Sequence, residues 1–267
     1  MSNLTNPRPA PTLFVSHGSP TLPIDALPAR EFLRGFGADW DNIKAILVLS
    51  AHWERSGKVL VQTTTKPETI HDFFGFPDAL YRLRYPAPGA PEAAARAALL
   101  LEGAGFAVER DDHRGIDHGV WVPLMLMREA ADIPVFQVSI DPAEGPAYHL
   151  ALGATLAPLR DEGVLILGSG SITHNLRGLW GHGPHDAFED WAKVFADWMA
   201  ERAEAGDWEA LLDYRARAPQ ARANHPTDEH LLPFYAALGA GGEGAKAKRI
   251  HQSDAFGVLS MDAYSFG

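Results

Sequence analysis

The segment Ile43-Lys44-Ala45-Ile46-Leu47-Val48-Leu49-Ser50 constrains this chain most, because it is almost unbroken apolar sequence. A strand of this kind cannot present either side to water, so it belongs to a sheet covered on both faces. Val164-Leu165-Ile166-Leu167-Gly168 repeats the pattern, and 12–16, 59–63, 106–109 and 133–139 are further strand candidates. Helical stretches fall between them at 28–40, 91–104, 121–127 and 146–159. Beyond the last central strand, 187–204, 207–214 and 228–238 are helical, and 249–252 with 257–261 supply a closing strand or pair. This alternation predicts an α/β fold. Its expected form is one domain over 1–267, a three-layer sandwich around a largely parallel or mixed central sheet. Segment 1–11, polar and proline-rich, is expected to be a flexible N-terminus.

Composition narrows the function classes. The chain has 267 residues, 46% of them hydrophobic, which suffices for a substantial core. Its formal net charge is -11, which disfavours nucleic acid and anionic membrane surfaces as partners. The chain has no cysteine, which removes disulfides, thiolate nucleophiles and sulfur-ligated zinc. No segment is long and apolar enough to cross a bilayer, and 1–11 lacks the apolar core of a signal peptide. A cytoplasmic location is therefore expected.

Four histidine-bearing segments then stand out: Ser16-His17-Gly18-Ser19-Pro20, Ser50-Ala51-His52-Trp53, Ser171-Ile172-Thr173-His174-Asn175 and His225-Pro226-Thr227-Asp228-Glu229-His230. The first three follow predicted strands, and ligand sites of open α/β sheets form beyond the carboxyl ends of strands. Imidazoles gathered there could hold one metal ion without sulfur. The plain alternative for each is a turn, cap or loop histidine bonded to backbone. His174 could be a ligand or a general acid/base, and spacing alone does not rank His225, Glu229 and His230. His118 follows Asp117, whose carboxylate could hold its ring in one tautomer for proton transfer. Gly168-Ser169-Gly170-Ser171 lacks the continuation of a phosphate-binding loop. The stretch 66–90 is a long connection rich in aromatics and proline, and such loops are often functional. Trp53, Phe73, Phe76 and Tyr81 could frame a flat ligand, with His71 at the mouth; a satellite core is the plain alternative.

Taken together, these segments resemble the class III extradiol ring-cleaving dioxygenases, the LigB-like superfamily, and within it the 4,5-DOPA extradiol dioxygenase-like proteins. The resemblance runs through the histidine segments above. It also takes in Ile70-His71-Asp72-Phe73-Phe74-Gly75-Phe76-Pro77, Tyr85-Pro86-Ala87-Pro88-Gly89, Asp117-His118-Gly119 and Gly168-Ser169-Gly170-Ser171. It implies metal ligands at His17, His52 and His230, an acid/base at His174, and a substrate-binding or proton-handling role for His118. It disfavours His225 as a ligand, because family members can carry asparagine there. It implies Fe(II) for activity, with Zn(II) able to occupy the same imidazoles, and a small catechol and O2 as substrates. Arg177, Arg82 or Arg84 could meet the carboxylate of an amino-acid substrate. Two other functions fit the same residues: a zinc-dependent amide or ester hydrolase, and a non-catalytic, metal-stabilised binding protein of the same fold.

Overall fold

The computed structural model describes residues 9–267. Of the N-terminal segment, residues 1–8 lie outside the described residues. Ala10 is buried, donates its N–H to Arg160 O at 3.0 Å and accepts Arg160 Nε at 2.8 Å.

In chain order the elements are β1 (Thr12–Ser16), α1 (Pro28–Leu33), β2 (Ala45–Ser50), β3 (Val59–Gln62), α2 (Pro91–Gly103), β4 (Val108–Asp111), α3 (His118–Met127), β5 (Val135–Gln137), α4 (Pro146–Leu156) and β6 (Val164–Gly170). They continue with α5 (Asp190–Ala205), α6 (Trp208–Leu212), α7 (Tyr214–Arg217), α8 (Ala221–Asn224), α9 (Leu232–Ala240), β7 (Ala247–His251), β8 (Asp254–Ala255), β9 (Leu259–Ser260) and β10 (Ala263–Phe266). The central sheet has six strands in the order β5-β2-β6-β1-β10-β7. The pairs from β5 to β1 are parallel, and β10 and β7 add antiparallel pairs at one edge. The fold is thus an α/β three-layer sandwich around a mixed sheet.

Alternation along the strands builds both outer layers. Ile46, Val48, Leu165 and Leu167 face one layer, where they pack with Val120, Trp121 and Leu124 of α3. Leu47, Leu49, Ile166 and Phe136 face the other, against α2, α4 and α9. Phe14, Phe234, Tyr264 and Phe266 extend that second layer under α5. Removing one such large side chain typically costs about 2–5 kcal/mol.

Three elements differ from expectation. The strand β10 was not apparent in the sequence, because Ala263-Tyr264-Ser265-Phe266 is short and has a single aliphatic residue. It forms because β1 has a free edge, with Thr12 opposite Phe266. The first helix stops at Leu33 rather than near 40, since Gly35 takes φ +69°, outside helical space. The segment expected to be helical from Asp228 is a turn up to Leu231, and α9 starts at Leu232. Pro233 lacks an N–H and fits only a first helical turn.

The Gly168-Ser169-Gly170-Ser171 run has a steric purpose. A Cβ on Gly168 would stand 2.3 Å from Pro233 O, and one on Gly170 would stand 2.1 Å from His230 O. The bare backbone of β6 lets the 230–233 turn cross it closely. Ser171 N–H then donates to His230 O at 2.8 Å.

Candidate active site

The parallel strands β2, β6 and β1 are neighbours, and each runs into a histidine segment. His17 follows β1, His52 follows β2, and His174 follows β6, while the turn crossing β6 adds His230. One ligand atom from each of His17, His52 and His230 lies within 4.8 Å of the others. The Nε2 atoms of His17 and His52 are 3.0 Å apart.

Hydrogen bonds fix which nitrogen two of these rings offer. The Ser169 hydroxyl donates to Gly119 O, so its oxygen accepts from His17 Nδ1–H at 3.0 Å. Nε2 of His17 is left with its lone pair. Nδ1 of His230 donates to Glu229 Oε1 at 3.0 Å, which likewise frees Nε2. His52 is held through its backbone: its N–H donates to Ser50 Oγ at 3.2 Å, and its carbonyl accepts Arg114 Nη2 at 3.2 Å. Asp117 ties that bracket together, accepting Ser50 Oγ at 2.6 Å and Arg114 Nη2 at 3.0 Å.

Burial keeps these rings neutral. It holds His17 and His230 well below the usual imidazole range, and each is pushed further down by its histidine neighbours. Burial also lowers His52 to about 3, with His118 adding to the effect. With His52 also in its Nδ1–H tautomer, the two Nε2 lone pairs would face each other at 3.0 Å, an arrangement that a cation between them would relieve. Nitrogens each about 2.0–2.1 Å from one ion stand roughly 3.0–3.4 Å apart. Donor chemistry and spacing both fit a first-row divalent metal bound by nitrogen, either iron or zinc.

A cavity of about 250 Å³ opens over this cluster. Its polar wall contains His17, His52, His118, His174 and His230, with Ser19 and Ser171. Its apolar wall is Phe73, Phe76, Leu176, Leu179, Leu259 and Pro20. Among the described residues no lysine or arginine lines it. His174 stacks on His230, and its Nδ1 is 3.8 Å from Glu229 Oε1. Burial lowers His174 to about 4, against an opposing pull from Glu229. His174, Glu229 and His230 form a second group of possible donors, and His52, Asp72 and His118 a third.

The remaining candidates fall elsewhere. Tyr81 stands behind the aromatic wall, its hydroxyl 3.5 Å from Phe73 O. His71 is also behind it, between Phe73 and Trp121, with Nε2 3.1 Å from Leu83 O. Trp53 is buried beneath the Arg114 guanidinium, 5.4 Å from its ring centroid. Arg177 is exposed and outside the lining. His225 is committed to backbone: its Nε2–H donates to Ile172 O at 2.7 Å. Asp117 does not hold the His118 ring, being occupied with Ser50 and Arg114; the carboxylate beside that ring is Asp72, Oδ1 lying 2.9 Å from Nδ1. Sequence reasoning also missed Ser169, Glu229 as a partner of His230, and the three leucines. Of these, Asp72 carried a signal as the acidic residue in the family-like segment 70–77, and Glu229 as the neighbour of His230.

Comparison with known proteins identifies the family. Residues 12–266 match the family described as the catalytic LigB subunit of aromatic ring-opening dioxygenase. The chain is 44% identical over 261 residues to the 4,5-DOPA dioxygenase extradiol of Beta vulgaris, covering 96% of each chain. It is 40% identical over 234 residues to the protein of that name from Escherichia coli (strain K12), covering 86% of this chain and 84% of that one. A crystal structure of an uncharacterized protein from Escherichia coli K12 superposes with a TM-score of 0.78 at 32% identity, covering 97% of this chain and 100% of that chain. The chain belongs to the LigB family of aromatic ring-opening dioxygenases.

Proposed function

We propose that the protein is an extradiol dioxygenase that opens the ring of a small catechol, DOPA-like or otherwise, with O2. His17, His52 and His230 would hold Fe(II) through Nε2. The observation that carries this reading is three neutral imidazoles converging at a cavity walled on its apolar part by phenylalanine and leucine, with His174 beside them. Bound iron would supply the redox chemistry that lets a catechol react with O2; Zn(II) fits the same nitrogens but has no redox state to offer.

The chain's own residues would do the rest. Phe73, Phe76, Leu176 and Leu179 in the cavity wall would pack against the ring and exclude water. His174, neutral at physiological pH, would accept a proton from a catechol hydroxyl and return it later. His118 would accept a hydrogen bond from the substrate at Nε2.

The test is anaerobic loading with Fe(II), addition of a catechol panel, then O2. The expected result is one O2 consumed per catechol and a product whose mass is that of the substrate plus O2. Hydrolysis of an ester or amide with no O2 uptake would overturn it.

A further inference from the structure

His118 opens α3, yet its helix start is capped from far away in sequence. The side chain of the preceding residue, Asp117, makes no cap bond. The His118 backbone N–H donates instead to Asp72 Oδ1 at 3.0 Å, across 46 positions of sequence. A carboxylate there also meets the positive end of the helix. The same oxygen stands 2.9 Å from His118 Nδ1. The straight bond goes to the backbone; Nδ1–H aims past the oxygen and has no straight partner among the described residues. Asp72 Oδ2 is 3.8 Å from His52 Nδ1, so one carboxylate addresses both rings, whose centroids are 4.0 Å apart. The next residue, Phe73, forms cavity wall and meets the His118 ring edge-on at 5.8 Å.

We infer that Asp72 is a positioning residue: it holds His118 in the Nδ1–H tautomer, so that Nε2 is the nitrogen offered to the cavity, and docks the Phe73 wall against the histidine cluster. This rests on the catechol reading for its kinetic consequence but not for its structural one. Without the carboxylate, the His118 proton could sit on either nitrogen, and half of the outcomes would leave no acceptor for a substrate hydroxyl. The wall and the imidazole would also move independently. Asparagine can keep the arrangement, since its carbonyl oxygen accepts from the same two N–H groups; alanine cannot.

The test compares Asp72→Asn and Asp72→Ala with the wild type. Nitrogen NMR of the imidazole rings in the zinc-loaded protein, with His118 assigned through His118→Gln, reads the tautomer whether or not the protein turns over catechol. The expected result is an Nδ1–H His118 in the wild type and in Asp72→Asn, and a tautomer mixture in Asp72→Ala. In the Fe(II)-loaded protein, kcat for 4-methylcatechol should fall about 10- to 100-fold in Asp72→Ala at unchanged metal content. Asp72→Asn should stay within about fivefold of the wild type. A His118 ring already in the other tautomer in the wild type, or unchanged in Asp72→Ala, would overturn the inference. Metal loss from Asp72→Ala would overturn it too, by moving the role of Asp72 to His52. Wild-type protein inert toward every catechol would sink the dioxygenase reading while leaving the NMR result decisive for Asp72.

Discussion

His174 lies flat on His230, with ring centroids 3.4 Å apart and planes 10° from parallel. The lone pairs of imidazole nitrogens lie in the ring planes, so in two rings stacked this closely they run side by side rather than converging on one ion. His230 shares the close group with His17 and His52, and His174 sits one ring further out while still lining the cavity. His174→Ala is therefore expected to keep its metal, read by elemental analysis, while turnover falls roughly 10²–10⁴-fold. His230→Ala should lose the metal, and His225→Ala, whose ring is bonded to Ile172 O, should keep it. Metal loss from His174→Ala would make it a ligand instead.

The crossing of β6 by the 230–233 turn gives a second prediction. In Gly170→Ala the new methyl would overlap His230 O, a backbone atom that cannot step aside without moving His230 itself. The expected outcome is a loss of about 1–3 kcal/mol in stability together with weaker metal binding. Gly103→Ala is the control: the site is open and helical, so stability should rise by about 0.5–1 kcal/mol with metal affinity unchanged. Denaturant titration with and without metal separates the two effects. Equal metal affinity in Gly170→Ala and wild type would show that the glycine does not place His230.

Much of this architecture was legible from the chain alone, for identifiable reasons. The buried strands β2 and β6 are unbroken apolar runs, and a histidine just past such a strand sits at a sheet's carboxyl edge; that placed His17, His52 and His174. Spacing alone did not separate His230 from His225, and the preference for His230 came from the family resemblance, because the distinction depends on a turn passing over Gly170, a contact that spacing does not encode. Asp117 misled through adjacency to His118, whereas the acceptor beside that ring, Asp72, comes from the aromatic loop. Leu176, Leu179 and Leu259 were invisible as lining because a leucine at a cavity wall is patterned like one in a core.

The cavity's lack of cations makes a third prediction, about substrate side chains. Arg177, Arg82 and Arg84 were candidates to meet a carboxylate, but none lines the cavity. A hydrogen bond to a charged group is worth about 1.5–3 kcal/mol, or roughly 10- to 150-fold in kcat/KM. Dihydrocaffeate and 4-ethylcatechol differ by one carboxylate, and their kcat/KM values are expected to agree within about tenfold. A preference of about 100-fold for dihydrocaffeate, abolished in Arg177→Ala, would show that this exposed guanidinium reaches the bound side chain.

A fourth prediction concerns stability, at a histidine remote from the cavity. His149 in α4 is fully buried, with Nδ1–H donating to Gly145 O at 3.0 Å and Nε2 accepting Asp141 N–H at 3.2 Å. The ring is useful only when neutral, since protonated Nε2 cannot accept. Burial lowers it from the usual 6.5 to about 4, against opposing pulls from the Gly145 carbonyl and Asp141. The unfolded chain thus binds a proton at this histidine between about pH 6.5 and 4 that the folded chain refuses, so stability falls as pH drops through that window. The stability is fully present above the unfolded value and gone below the folded one. From pH 7 to pH 5 this one residue should remove about 2 kcal/mol. His149→Gln, which can donate and accept at the same two places without titrating, should show that much less acid sensitivity than the wild type in urea unfolding at the two pH values, compared at equal metal loading. Parallel pH dependences for the two proteins would mean that the acid sensitivity resides in the other buried histidines.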